Sequence, residues 1–208
     1  MKLFAAVLLF PALSIAADLK PVDLPAPQTG GGKPLMQALK LRQSTREFDA
    51  RALPPQVLSN LLWAAAGVNR EDGKRTAPSA MNRQEVDVYV VTADGVFLYE
   101  AKPHRLTALL SEDMRAATGT QPFVREAPVN LVYVADYAKM GTGDNEQKAL
   151  YAGAATGFIS QNVYLFCASE GLVTVVRASM DKTALAKAMR LRPDQRILLA
   201  QTVGYPKK

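Results

Sequence analysis

The sequence predicts an α+β domain, a mostly antiparallel sheet flanked by helices. Three observations carry that reading. The strand-like runs 86–92 and 96–100 are joined by Ala93-Asp94-Gly95, and an Asp-Gly pair between two such runs closes a tight antiparallel hairpin. Residues 129–135 and 195–205 add two further strands, the first with a near-continuous apolar core. Residues 54–67 and 145–170 are helical segments, the first opened by proline and both closed by glycine, at Gly67 and Gly171.

Composition bounds the function. Of 208 residues, 49% are hydrophobic and 21% charged, the profile of a globular domain with a real core. The formal net charge of +6 is scattered, not gathered in an arm or stripe, which argues against nucleic-acid binding and leaves cations for an anionic cofactor. Cys167 is the single cysteine, so no intrachain disulfide forms; within the apolar run 164–168 it reads as a small buried filler. The single histidine, His104, cannot make a metal site without partners.

Residues 1–17 carry one charge, Lys2, then an apolar stretch ending in Ser14-Ile15-Ala16-Ala17. A basic start, a short apolar core and small final residues describe a cleaved secretory signal peptide, which places the mature protein in the periplasm or outside the cell. The competing reading is an uncleaved anchor. The run is shorter than the roughly 20 residues that span a bilayer, and Pro11 interrupts it, so no stable membrane insertion is expected after cleavage. Residues 18–33, with Pro21, Pro25, Pro27 and three consecutive glycines, read as a flexible extended leader. Residues 34–208 then form one domain of ordinary size.

The domain opens with the amphipathic run 35–41, followed by Arg42-Gln43-Ser44-Thr45-Arg46-Glu47-Phe48. Positions 42, 44 and 46 do not share a helical face, but in an extended turn their side chains point the same way. A hydroxyl between two guanidiniums receives a phosphate well, since arginine offers forked donors and serine a third hydrogen bond. Alone, the pattern is better read as a basic, solvated helix end. In the helix 54–67, Val57, Leu58, Leu61, Leu62 and Ala65 share one face, and Trp63 reads as packing. A polar surface loop leads to Pro78-Ser79-Ala80-Met81-Asn82-Arg83-Gln84, just before the strand 86–92. Small residues there let backbone approach a flat ring, and Asn82 offers both a donor and an acceptor; taken alone, the stretch is a capped turn.

After the hairpin, Pro103-His104-Arg105-Leu106 reads as a helix start with His104 on the surface, in preference to a general base. Irregular stretches at 115–127 and 136–145 flank the strand 129–135. Along 145–170, Ala149, Gly153 and Gly157 recur at every fourth residue as a smooth stripe, with Leu150, Ala154, Phe158, Gln161, Leu165 and Phe166 beside it. A helix apolar nearly all round must be buried, and in so small a domain that points to a second subunit. Residues 171–181 read as a strand running into a helix at Asp181, and 182–190 as a short helix.

Four stretches in this order resemble the nitroreductase family of FMN-dependent oxidoreductases: 38–49, 78–84, 171–181 and the closing Val203-Gly204-Tyr205-Pro206. The resemblance covers nearly all of the chain after residue 34. It implies a nitroreductase-like fold, FMN as cofactor, and a homodimer through the long helix with each flavin at the interface. It implies that Arg42, Gln43, Ser44 and Arg46 hold the cofactor, with Arg42 at the phosphate and Arg46 near the pyrimidine edge. Pro78, Ser79, Ala80, Asn82 and Gln84 would approach the ring, Asn82 at its edge. Val176, Ala178 and Ser179 would lie against it, Ser179 presenting a backbone N–H to N5. No catalytic side chain and no metal are implied, because N5 of the flavin carries the hydride.

Some residues depart from the family pattern. Glu85 stands where many relatives have proline. Ser179 stands where they usually have glycine, which keeps the N–H but narrows the backbone angles. Arg177, in a stretch that is often apolar, reads either as tuning the pocket or as an exposed strand residue. Lys207 and Lys208 end a tail that relatives extend with basic residues for the phosphate. The Asp94-Gly95 hairpin followed by Pro103-His104 looks like the subgroup related to thiazoline and oxazoline dehydrogenases.

The expectation is an exported FMN-dependent oxidoreductase passing hydride or electron pairs, in ping-pong fashion, from a donor to a small organic acceptor. One alternative is an FMN-dependent dehydrogenase or oxidase of an azoline-like substrate, returning electrons to oxygen or a carrier. Another is a non-catalytic secreted ligand-binding module on the same fold, which the altered Ser179 and the short tail would suit.

Overall fold

The computed structural model describes residues 20–207; the expected signal peptide, the first two leader residues and Lys208 lie outside the described residues. The elements run β1 (Val22–Asp23), α1 (Leu35–Leu41), β2 (Phe48–Asp49), α2 (Pro55–Ala66), β3 (Val86–Thr92), β4 (Gly95–Glu100), β5 (Arg105–Leu110), β6 (Val129–Asp136), α3 (Asn145–Glu170), β7 (Val173–Arg177), α4 (Lys182–Ala188) and β8 (Gln195–Pro206). All strand pairs are antiparallel, in the order β1-β5-β4-β3-β6-β8. The outer edge of β8 is shared in succession by β7 and β2. The fold is α+β, as the sequence predicts.

Side-chain alternation sorts the core onto two faces of this sheet. Val86, Val88 and Val90 of β3 meet Leu61, Leu62 and Ala65 of α2 and Ala155, Ile159 and Val163 of α3. Tyr89 and Val91 point the other way, into a cluster with Leu185 and Met189 at the α4 side. Covered on both faces and paired on both edges, β6 is buried at all eight positions. Leu61 and Leu62 are fully enclosed, and truncating either to alanine would cost roughly 2–5 kcal/mol.

The helix ends follow from their caps. The Asp144 carboxylate accepts the Gln147 N–H at the start of α3, and Gly171 ends it at φ 72°, in the left-handed region. Gly67, after α2, is needed for a different reason. Its φ is −70°, but a Cβ there would fall 2.4 Å from the Trp63 ring.

Two expectations need correction. The leader is extended but not a free tether. Val22–Asp23 adds to the edge of β5, Pro25 and Ala26 carbonyls accept from Ser59 and Gln56, and Lys33 donates to Ser169 from both its backbone and its Nζ. Short polar anchors on α2 and α3 hold what composition alone marks as loose. The segment at His104 is a turn into β5, not a helix start, because 105–110 pairs with β4 along its length. Within the protomer α3 buries one face, and Ala149, Leu150, Gly153, Ala154, Gly157, Phe158 and Gln161 are exposed. Leu35, Met36, Leu39 and Leu41 of α1 are exposed as well, and only Ala38 of that helix is buried.

Candidate functional site

The stretch after α1 is extended, as its alternating pattern predicts. It leaves the helix at Arg42 and joins the sheet edge through Thr45 N–H to Thr174 O, 3.0 Å. Alternation separates its side chains. Arg42 lies over the Tyr164 ring, 5.3 Å from its centroid, and Ser44 Oγ is 2.7 Å from the Tyr164 hydroxyl. Gln43 and Thr45 line a cleft of about 250 Å³ with Lys33, Tyr164 and Gly171. Among the described residues neither Arg42 nor Arg46 enters an ion pair, so both keep their donors for an incoming anion.

Tyr164 has no role in the sequence reading. Its hydroxyl accepts the Val176 N–H at 2.9 Å, so one side chain of α3 ties Ser44 to the strand β7. The signal was a phenol inside an apolar helical run, whose polar tip requires a partner when buried.

Beyond β7, Ala178 and Ser179 are exposed. The Met180 N–H donates to Ala178 O at 2.9 Å, and the Thr120 N–H donates to Ser179 O at 3.0 Å. Among the described residues the Ser179 N–H meets no acceptor, which leaves it available to a ligand. Ser179 is absent from the positions with positive φ, so serine is accommodated there without left-handed strain.

The 78–84 loop is strained. Met81, Asn82 and Gln84 hold φ of 54°, 53° and 49°, a conformation that costs side-chain-bearing residues energy and clusters at functional sites. Gln84 braces it: its Nε2 reaches Gly73 O at 3.0 Å and Asn82 Oδ1 at 3.1 Å, and its N–H donates to Ser79 Oγ at 2.8 Å. Asn82 is exposed with its Nδ2 unengaged among the described residues, whereas Gln84 serves the loop itself. Glu85, next in sequence, is fully enclosed, and neither carboxylate oxygen meets a protein donor.

The structure thus gathers Arg42, Ser44 and Val176 around Tyr164, with Ala178 and Ser179 just beyond, but it does not bring the 78–84 loop to them. Pro78, Ser79 and Gln84 line a crevice with Ala155 and Ile159 of α3. Tyr164 lies five and nine residues further along, about 140° and 180° around the helix from them. The two halves of the expected cofactor site therefore sit on opposite sides of α3. The last pair of the β2–β8 register is Phe48 with Pro206, and Lys207 follows directly after it. A larger cavity of about 520 Å³, between the leader, α2 and the end of α3, contains none of the expected cofactor residues.

The donor set fits FMN: two unpaired guanidiniums and a serine for a phosphate, an asparagine amide and a free backbone N–H for the ring. Comparison with known proteins points the same way. A model described as the nitroreductase family matches residues 39–205. A protein of Methanocaldococcus jannaschii bearing a nitroreductase name is 32% identical over 151 residues, 68% of this chain and 76% of that protein. The crystal structure of a nitroreductase-named protein from Ralstonia eutropha superposes with a TM-score of 0.88 at 41% identity, covering 96% of each chain. A nitroreductase-named protein from Desulfovibrio desulfuricans, solved in complex with FMN, shares the fold at a TM-score of 0.63 and 22% identity, over 85% of this chain and 88% of that one. With the motifs in order, the same sheet, and a family match from residue 39 to residue 205, the chain belongs to the nitroreductase family.

Proposed function

We infer that the protein is an FMN-dependent oxidoreductase that works as a homodimer outside the cytoplasm, alternately oxidising a donor and reducing a small organic acceptor. The observation that carries this reading is the unengaged Ser179 N–H at the end of β7, beside a 42–46 stretch whose arginines have no acid partner. FMN, when bound, supplies the two-electron chemistry. The chain's own residues bind and orient it. Arg42 and Ser44 hold the phosphate, Arg46 places positive charge at the pyrimidine edge, and the Ser179 N–H faces N5.

The dimer is supported by the division of the site across α3. If the 78–84 loop and the 42–46 stretch are to touch one flavin, the loop must come from a second copy. The exposed apolar face of α3, with Leu150 at 70% and Phe158 at 48% exposure, is a surface such a copy would cover. The signal peptide reading of residues 1–17 supports export, and no helix among the described residues is long and apolar enough to cross a membrane.

The test is the absorption spectrum of protein purified from the periplasm, followed by anaerobic reduction with dithionite and turnover with NADPH. Oxidised-flavin bands that bleach on reduction are expected. Colourless protein that takes up no added FMN would overturn the reading. Intact mass lacking residues 1–16 or 1–17 is expected for the exported form, and a membrane-bound form retaining Met1 would defeat the export proposal.

A further inference from the structure

Arg177 ends β7, two residues before Ser179, and is only 7% exposed, against the reading of an exposed strand residue. Its guanidinium makes four hydrogen bonds, with donors from all three nitrogens. Nε donates to Thr202 Oγ1 at 3.2 Å, Nη1 to Thr118 O, and Nη2 to Thr118 Oγ1 at 3.0 Å and Asn130 Oδ1 at 2.7 Å. These acceptors come from β8, β6 and the turn at Arg115–Thr118, and every one is neutral. Among the described residues no carboxylate pairs with it. Burial pulls its pKa down to about 10, which still leaves it charged at neutral pH.

An enclosed cation held only by neutral dipoles is costly, and an apolar side chain of similar length would fill the space without that cost. We infer that Arg177 is a positioning residue of the flavin site: it locks the 118–120 turn that fixes the Ser179 peptide, and it sets an uncompensated positive charge behind that peptide. The inference rests on the reading that Ser179 meets the cofactor.

The geometry supplies the linkage. Arg177 grips Thr118 at both its carbonyl and its hydroxyl, and two residues later the Thr120 N–H holds Ser179 O. Gly119 between them has no room for a side chain, since a Cβ would lie 2.4 Å from Arg177 Nη1. With Met180 N–H on Ala178 O, the peptides on both sides of Ser179 are held, and the Ser179 N–H stays free. A charge in a poorly solvated interior acts over a longer range than one in water, and this one favours the more negative, reduced form of the cofactor.

The experiment measures the affinities of oxidised and dithionite-reduced FMN, and the hydrogen-exchange protection of residues 114–121, for the wild type, Arg177→Met, Arg177→Lys and Ser179→Pro. Arg177→Met, folded by its melting curve, should lower the reduced-to-oxidised affinity ratio about tenfold, on the order of one uncompensated charge near a low-dielectric site. Arg177→Lys keeps the charge but not the fork, so the ratio should stay within about threefold while protection of 114–121 falls. A folded Arg177→Met with an unchanged ratio overturns the inference. If Arg177→Met does not fold, Arg177→Lys decides: lost protection with a retained ratio supports it, and no change in either overturns it. Ser179→Pro removes the free N–H. If it alters neither oxidised-FMN affinity nor the ratio, the placement of Ser179 at the cofactor fails, whatever the arginine variants do.

Discussion

The Tyr164 hydroxyl lies 2.7 Å from Ser44 Oγ while accepting the Val176 N–H, so the opening arginine stretch and the end of β7 are held by one phenol. With its oxygen taken by Val176, the phenol hydrogen can go to Ser44, which turns the serine hydrogen outward toward a ligand. Tyr164→Phe removes both bonds and keeps the ring beneath Arg42. About 1–2 kcal/mol should be lost, read as a five- to thirtyfold weaker FMN affinity by fluorescence titration. Wild-type affinity in this variant would show the clasp to be idle.

Arg42 and Arg46 should separate by phenotype. Arg42 is braced over Tyr164 at the helix end, while Arg46 is exposed further along the turn. Arg42→Ala should lose FMN on dialysis, with about 2–3 kcal/mol less affinity, as a charged hydrogen bond to phosphate is removed. Arg46→Ala should keep more FMN but show a more negative midpoint potential in a dye-coupled titration, since less positive charge faces the reduced ring. If both variants load FMN normally at an unmoved potential, the motif is a solvated helix end.

What the sequence carried was local. Asp144 and Gly171 cap α3 through bonds to their own neighbours, and Asp94-Gly95 closes its hairpin within four residues, so both elements could be read from the chain alone. The arginine stretch was legible because alternation follows from extended backbone. The leader was not, because Val22–Asp23 becomes a strand only when β5 offers an edge. Arg177 stayed ambiguous for the same reason: its acceptors, Thr118, Asn130 and Thr202, lie 25 to 59 residues away. Tyr164 went unread as a site residue since its partners come from two other segments.

Gly153 tests the interface. An added Cβ there meets nothing within 4 Å in the protomer, so a larger residue should not disturb the fold of one chain. Replacing glycine in a helix interior even favours the helix by up to about 1 kcal/mol. Gly153→Leu should therefore melt like the wild-type protomer yet run as a monomer with little FMN by light scattering and absorbance. A normal yellow dimer would put the interface elsewhere.

His104 links Tyr99 to the leader, and the order of donors can be worked out. Ser59 Oγ spends its hydrogen on Pro25 O at 2.6 Å, so at 2.7 Å it accepts from His104 Nε2–H. Nδ1 is then bare and accepts the Tyr99 hydroxyl at 2.9 Å. Burial holds the His104 pKa below its ordinary value, partly offset by the Pro25 carbonyl. A histidine with a depressed folded pKa contributes stability that is full above the unfolded value, about 6.5, and is lost as pH falls from there through the folded pKa. The carboxylates of Glu100 and Asp113, held low by Arg105 and Arg115, lose their share only below about pH 4.5, so the window from 6.5 to 5 belongs to His104. Protonation places a hydrogen on Nδ1 against the Tyr99 hydroxyl and loosens the chain that ends at Pro25. Limited proteolysis within residues 20–33 should accelerate as pH drops from 7 to 5. His104→Gln should cleave faster at pH 7 and lose the dependence on pH. A wild-type cleavage rate that stays flat across that range would mean that the β1–β5 pairing and the contacts of Gln56, Ser59, Asn60 and Ser169 hold the leader without the His104 ring.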